Sequence, residues 1–301
     1  VHDSTSIQHA QPFPGSLAIV GGGPISLEFA SMFAGFGAQV TVLERERILA
    51  REDADVAASV AQALADRGVE VRTGARVVEL DDDGQTVTVV LEDGSRLTAH
   101  AVLAAVGRVP ATEGLGLDTA GIETDDSGAV VVDDHLRTSV EGVFAVGDVN
   151  GGPQQTYVSY DDHRIVLAQL TGDGRRSTAD RVAVPTTTFV TPPFARVGAS
   201  EEELRAKGVD VAVHAKPVAK IAAMPRPKTL GETHGLIKFC VDAETDEILG
   251  AALHTVDAQE LVNLVALAMG TGTTAAALRD GIWTHPSTTE ALNEVLATPV
   301  R

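Results

Sequence analysis

Leu17-Ala18-Ile19-Val20-Gly21-Gly22-Gly23-Pro24-Ile25-Ser26-Leu27-Glu28 decides how this chain folds. Four apolar residues read as a buried strand, and the glycines stop it. Residues 25–37 then carry Leu27, Phe29, Ala30, Phe33 and Ala34 at the spacing of one helix face. Residues 39–43 form a second apolar run that ends at Glu44. Asp53 stands where it can cap a helix over 54–67, which Gly68 closes, and 69–72 reads as a third strand. Strand, helix, strand, helix, strand predicts an α/β fold with a parallel sheet and right-handed crossovers. Within it Gly21 allows a tight turn and Gly23 lets backbone approach a pyrophosphate. The helix that follows points N–H groups and its positive dipole end at that anion. Ser26 takes the third glycine position and is small enough for close strand–helix packing. Glu44 ends the next strand, where an acid accepts ribose hydroxyls; that favours NADH, while Arg45 and Arg47 leave NADPH open. A glycine-rich turn in a sheet without ligand has the same local pattern, but lacks a reason for the acid.

Beyond this unit, alternating runs at 77–80, 86–91 and 96–98 are separated by Asp81-Asp82-Asp83-Gly84 and Glu92-Asp93-Gly94, an antiparallel meander. Residues 102–106 read as another buried strand, ending in Gly107-Arg108-Val109-Pro110. A second part centres on Gly142-Val143-Phe144-Ala145-Val146-Gly147-Asp148, an apolar strand that stops at an acid, with a helix expected over 158–170. In the third part Ser200-Glu201-Glu202-Glu203 is a capping box and Lys207-Gly208 a matching helix end. Strands are expected over 236–241 and 248–254 across Ala243-Glu244-Thr245-Asp246, and Asp257 and Thr273 can each cap a helix. The expected domains are 1–111, 112–181 and 182–301, with no internal repeat.

Composition narrows the function. The 301 residues are 44% hydrophobic, enough for a normal core. With 23 Lys and Arg against 42 Asp and Glu, the formal charge is -19, a field that repels phosphate backbones, so no nucleic-acid partner is expected. No apolar run reaches bilayer length and no basic-then-apolar leader opens the chain, which predicts no membrane partner and a cytoplasmic setting. Cys240 is the single cysteine, ruling out an internal disulfide or a thiolate cluster. It reads as a small core residue. His2, His9, His100, His135, His163, His214, His234 and His254 lack ligand spacing, and no metal site is expected. The chain opens on Val1-His2-Asp3 without an initiator Met, and reads as a cut through a larger protein.

One histidine stands apart. In Thr284-His285-Pro286-Ser287-Thr288-Thr289-Glu290 an imidazole precedes a proline, with a carboxylate five residues on. A histidine that transfers protons near neutral pH needs a fixed ring and a partner that holds one tautomer. Glu290 is within reach for that role. Ser287 and Glu290 equally make an S-x-x-E capping box. Gly147-Asp148 also has two readings: an acid at a strand end can bind sugar-like hydroxyls, or cap a helix. After it, Thr156 and Tyr157 open a helix whose N-terminus can face a partly anionic ring system.

The ordered set Gly21-Gly22-Gly23, Gly107-Arg108-x-Pro110, Gly147-Asp148, Thr191-Pro192-Pro193-Phe194-Ala195-Arg196-Val197-Gly198 and His285-Pro286-x-x-x-Glu290 resembles the pyridine nucleotide–disulfide oxidoreductases. These are the FAD enzymes that include glutathione, lipoamide and mercuric reductases or dehydrogenases. The resemblance covers nearly the whole chain. It is closest to the branch linked to reactive-chlorine stress, through Ser31-Met32-Phe33-Ala34, Arg51-Glu52-Asp53 and Tyr157-Val158-Ser159-Tyr160-Asp161-Asp162. It implies a Rossmann-like NAD(P)-binding domain with a meander, a remnant of an FAD-binding Rossmann-like domain, and an α+β dimerisation domain. Gly21, Gly23 and Glu44 would hold NADH or NADPH, with Glu28 near the nicotinamide and Gly107 along the dinucleotide. Asp148 would bond the FAD ribityl chain, and Thr156 and Tyr157 would approach the flavin. A homodimer would form through 182–301, and His285, oriented by Glu290, would serve the other subunit's active site as acid and base.

The family's first FAD-binding segment and its C-x-x-x-x-C redox disulfide have no counterpart in these residues. Pro24 stands where relatives often carry an aromatic gate. Mercuric reductases typically replace the dyad histidine and add a C-terminal cysteine pair, so mercury is disfavoured. The implied acceptor is a small oxidised molecule: a sulfur species, a hypothiocyanite-like oxidant or Cu(II). The rival readings are an NADH oxidase or peroxidase, whose members usually lack the dyad, and a non-catalytic dinucleotide-binding and dimerisation fragment.

Overall fold

The computed structural model describes residues 1–297 and 299. Strand β1 (Ser16–Val20) leads through the glycines into helix α1 (Pro24–Gly35), strand β2 (Gln39–Glu44), helix α2 (Ala54–Ala65) and strand β3 (Glu70–Thr73). The meander follows as β4 (Val77–Asp82), β5 (Val87–Leu91) and β6 (Arg96–Ala99), and β7 (Ala101–Ala104) returns to the first sheet. That sheet is parallel, in the order β3-β2-β1-β7. Alternation along β1 explains the layers. Leu17 and Ile19 face α1 and α2, in a core with Leu27, Val60 and Leu64. Ala18 faces the other way, against Val87, Val89 and Leu91 of the meander.

The chain divides into two compact units, one of residues 1–106 with 183–301, the other of residues 107–182. In the first unit, residues 183–301 add a five-stranded antiparallel sheet, with strands β8 (Thr186–Thr188), β9 (Phe194–Gly198), β10 (Val211–Pro217), β11 (Leu236–Asp242) and β12 (Ile248–His254) in the order β10-β11-β12-β9-β8. Helix α5 (Glu201–Ala206) lies between β9 and β10 in sequence, and α6 (Arg226–Thr229) precedes β11. Helices α7 (Ala258–Gly270), α8 (Ala275–Arg279) and α9 (Ala291–Val295) pack with this sheet through Phe239, Leu253, Leu261, Val265 and Leu292. Along β11, Ile237, Phe239 and Val241 enter this core while Lys238 and Cys240, the alternate residues, do not, although both are buried. The second unit contains helices α3 (Leu117–Ala120) and α4 (Thr156–Thr171).

Four local expectations need correction. Residues 142–146 form no strand; Phe144 makes an isolated bridge to Arg137, and the pairing with 136–138 goes no further than the Thr138–Val143 and Ala145–Leu136 backbone bonds. Asp53 does not cap α2. Its carboxylate accepts the N–H groups of Glu201 (3.1 Å) and Glu202 (2.9 Å) in α5, and Ala54 of α2 donates its N–H to Glu202 instead. Asp257 precedes α7 at φ 58 without capping it, because its carboxylate is held by Arg226 and Thr288. The cap of α8 is Thr274, not Thr273, because the helix begins one residue later than the spacing suggests. The Ser200 capping box forms as expected.

Candidate functional site

The glycine loop is set by close approaches. Gly21, at φ 114, donates its N–H to the Leu43 carbonyl at 2.9 Å, and a methyl there would lie 2.5 Å from the Ala105 carbonyl oxygen. Gly23 is extended and has open space around it, so backbone is accessible to a ligand. Ser26 is fully buried, with its hydroxyl 3.4 Å from the Ala105 carbonyl, the close packing expected of a small residue. Gly22 has a part that sequence reasoning missed. A methyl at that position would meet the Glu44 carboxylate at 2.9 Å and Ile48 Cα at 3.0 Å. The signal was the middle letter of an unbroken glycine triplet.

Glu44 accepts the N–H of Glu46 at 3.0 Å, which fixes the acid beside the loop. Of the two neighbouring arginines, Arg47 donates to the carbonyls of Ala50 (3.2 Å) and Glu52 (2.6 Å) and is thereby committed to the protein's own backbone. Arg45 extends into solvent beside Glu46. Glu28 accepts the N–H of Phe189 at 2.8 Å, and burial pushes its carboxyl above the usual range against that bond.

In the second unit, Gly107 (φ 153) and Gly147 (φ 73) both adopt backbone that favours glycine. Gly147 donates its N–H at 2.6 Å to Asp162, whose buried carboxylate also receives Arg181. Asp148 pairs with Arg108 at 2.9 Å, and both side chains remain substantially exposed. Thr156 and Tyr157 open α4, and burial raises the Tyr157 hydroxyl's pKa. Asp162 and Arg181 were not foreseen; the Asp161-Asp162 pair inside a helix was the available signal.

At the C-terminal end, His285 Nδ1 and Glu290 Oε1 are 2.8 Å apart, and Glu290 Oε2 accepts the N–H of Ser287 at 2.8 Å. Half of the capping box thus exists, from the glutamate side, while the other carboxylate oxygen holds the imidazole. Burial alone would raise the Glu290 carboxyl; the bonds from His285 and Ser287 outweigh it and hold the group below the usual range. The Glu290 side chain is 14% exposed and that of His285 71%, so the carboxylate is sheltered while the ring reaches solvent. A carboxylate can only accept, so Nδ1 carries the proton. Nε2 has no hydrogen-bond partner among the described residues. The loop is anchored from behind: buried Thr288 donates to Asp257 at 3.1 Å, and Arg226 bonds the same oxygen at 2.9 Å. Cys240 is buried with its thiol pushed up to about 12 by desolvation, which makes it unreactive. Among the described residues no acid, histidine and cysteine group could hold a metal ion, and no helix is long and apolar enough to cross a membrane.

One compact unit combines a parallel sheet with an acid beside its glycine turn and an antiparallel sheet whose packed helices α8 and α9 flank a carboxylate-held histidine, the pattern of a dinucleotide-binding class of protein. Sequence comparison agrees. The pyridine nucleotide-disulphide oxidoreductase profile matches residues 1–162, and the dimerisation-domain profile of the same group matches 184–296. The probable pyridine nucleotide-disulfide oxidoreductase RclA of Escherichia coli is 45% identical over 298 residues, covering 99% of this chain and 67% of its own length. A dihydrolipoyl dehydrogenase of Mycobacterium tuberculosis is 35% identical over 289 residues, covering 95% of this chain and 62% of its own. Among solved structures, the Cu(II) complex of HOCl-induced flavoprotein disulfide reductase RclA from Escherichia coli superposes with a TM-score of 0.93 at 45% identity, covering 98% of this chain and 66% of that one. The chain belongs to the pyridine nucleotide–disulphide oxidoreductases and spans about two thirds of the length of these relatives.

Proposed function

We propose that these residues supply the nucleotide-binding, flavin-contacting and interface parts of a flavin-dependent NADH:disulfide-type oxidoreductase, acting as a cytoplasmic homodimer. The division into 1–111, 112–181 and 182–301 belongs to this reading. The observation that carries it is the His285–Glu290 contact at 2.8 Å, with the ring exposed and its second nitrogen unengaged. Glu290 fixes the ring and keeps the proton on Nδ1; Nε2 is then the atom that accepts a proton from a thiol and returns it to product. With the ring in solvent and a dimerisation-domain match over 184–296, the reacting thiol would, as in the family this chain resembles, belong to the partner subunit's site. Gly21, Gly23 and the start of α1, with Ser26 packed beneath, would hold the pyrophosphate, Glu44 the ribose, and Glu28 and Gly107 the nicotinamide side. The open space at Gly23 fits such a ligand. Asp148, on its glycine turn, would bond the ribityl chain, with Thr156 and Tyr157 toward the ring. FAD, when bound, supplies the hydride chemistry between nucleotide and dithiol. Cys240 is too buried to join that dithiol.

NADH is favoured over NADPH because Arg47 is already bonded to backbone carbonyls and Glu44 repels a 2′-phosphate. The acceptor is a small oxidised molecule. Cu(II) is worth assaying beside disulfides and hypothiocyanite-like oxidants, because the solved relative was obtained as a Cu(II) complex. Calorimetric titration with NADH and NADPH, followed by reduction of the flavin-loaded dimer with each, tests the reading. Tighter NADPH binding would remove the role given to Glu44, and failure of both nucleotides to bind would remove the glycine-loop assignment. The buried, unreactive Cys240 favours a second reading for the chain on its own, a dinucleotide-binding and dimerisation piece without turnover. Nucleotide binding without a flavin absorption band or electron transfer would single that one out.

A further inference from the structure

The glycine loop is braced from behind by residues that also grip the antiparallel sheet. Leu49, at φ 48, donates its N–H to the Gly22 carbonyl at 2.9 Å, and Ile48 packs where a Gly22 methyl would lie. From there the chain runs a few residues to the start of α2, where α2 and α5 cap one another. Asp53 accepts two N–H groups from α5, and Glu202 of α5 accepts the Ala54 N–H of α2 at 3.1 Å. Lys238 of β11 closes the joint. Its side chain is 2% exposed, and Nζ lies 2.9 Å from Asp53, 3.0 Å from Asp55 and 2.8 Å from Glu201. Three donors meet three carboxylates, so the ammonium has no bonding capacity left. Arg196 of β9 adds a bond to Glu52 at 3.1 Å.

A buried ion cluster is a weak source of net stability, since apolar residues of similar volume often do as well. What it does impose is geometry. Each helix start holds a carboxylate from the other, so neither can shift without breaking two caps, and Lys238 fixes the separation of the carboxylates. We propose that this cross-capped joint sets the conformation of the Gly21–Gly23 loop, and through it nucleotide affinity. Lys238, Asp53 and Glu202 are then positioning residues for the dinucleotide, though none of them belongs to the loop. The affinity half rests on the dinucleotide reading above; the conformational half does not. Coupling between sites is reciprocal, so nucleotide on the loop must also tighten the joint.

The test combines calorimetry with amide hydrogen exchange on the 301-residue protein and its Lys238→Met, Glu202→Leu and Glu202→Gln variants. Lys238→Met and Glu202→Leu should weaken NADH binding by about 5-fold or more, the lower end of usual inter-site coupling, and speed exchange of the Leu49 amide. Glu202→Gln keeps an acceptor for the Ala54 N–H and should retain most of the affinity. In the unmodified protein, NADH should slow exchange at Ala54, Glu201 and Glu202. A lower melting temperature with unchanged NADH affinity and unchanged Leu49 exchange in both disruptive variants would overturn the proposal and leave the joint as packing alone. If Lys238→Met does not fold, Glu202→Leu decides by itself, since that side chain is 57% exposed. If the unmodified protein fails to bind NADH, the affinity half falls with the dinucleotide reading, and Leu49 exchange in the variants still decides the joint.

Discussion

Two histidines in the same compact unit show how burial and partner divide one chemistry into two. His254 and His285 each place Nδ1 2.8 Å from a side-chain oxygen, of Ser59 in one case and Glu290 in the other. His254 is completely buried at the end of β12, its partner is neutral, and desolvation pushes its pKa down to about 4. His285 stands in solvent with a carboxylate behind it. A neutral partner in a dry site locks an imidazole into one state. A charged partner behind an exposed ring fixes which nitrogen carries the proton and leaves the rest of the ring in solvent. The hydrogen-bond distance does not distinguish them; burial and charge do.

The strongest challenge to this contrast is His285→Ala in a flavin-loaded dimer carrying these residues. Steady-state turnover with a disulfide acceptor should fall by about 10²–10⁴-fold, while unfolding free energy moves by no more than about 0.5 kcal/mol. Equal loss of stability and turnover would erase the distinction. Next is His254. A histidine with a folded pKa below its ordinary 6.5 binds fewer protons folded than unfolded, so its contribution is complete above pH 6.5 and disappears as pH falls through about 4. The loss across that window is about 3 kcal/mol at most, and denaturant titrations of His254→Gln should show a flatter acid limb than the unmodified protein. Superimposable limbs would mean the ring is not held neutral.

A smaller effect is expected from Thr288→Val, which strips the donor from the loop's anchor on Asp257. It should cost about 1–2 kcal/mol of stability by urea unfolding, and in the flavin-loaded dimer it should lower kcat more than it raises KM, because the dyad loses its support. The smallest concerns Glu290→Gln. A carboxyl held below its ordinary 4.5 contributes stability above that pH and loses it as pH falls through the folded value. At neutral pH the variant should lose less than about 1 kcal/mol, and its stability should change less than that of the unmodified protein below pH 4.5.

Much of this architecture was legible because it is local. The glycine turn, the meander with its Asp-Gly breaks, the Ser200 capping box and the hairpin from Leu236 to His254 all follow from residues within a few positions of each other. His285 and Glu290 were legible for the same reason, being five residues apart. What escaped the sequence involves distant partners. Asp53 has the spacing of a cap for α2, yet it serves α5, 148 positions away. Lys238 reaches Asp55 across 183 positions, and its only local mark was a cation inside an apolar run. Residues 142–146 carry strand composition, but their pairing with the segment 136–138 stops at a single bridge.

The crowding beside Gly22 bears on how positions 22 and 44 can change over generations. The Glu44 carboxylate occupies the volume that any side chain at position 22 would need. Because Ile48 Cα stands 3.0 Å from the same point, shortening the acid alone would not free position 22, whereas a substitution at 22 would displace the acid. Position 44 can thus vary while position 22 stays glycine, held by backbone that no change of the acid removes.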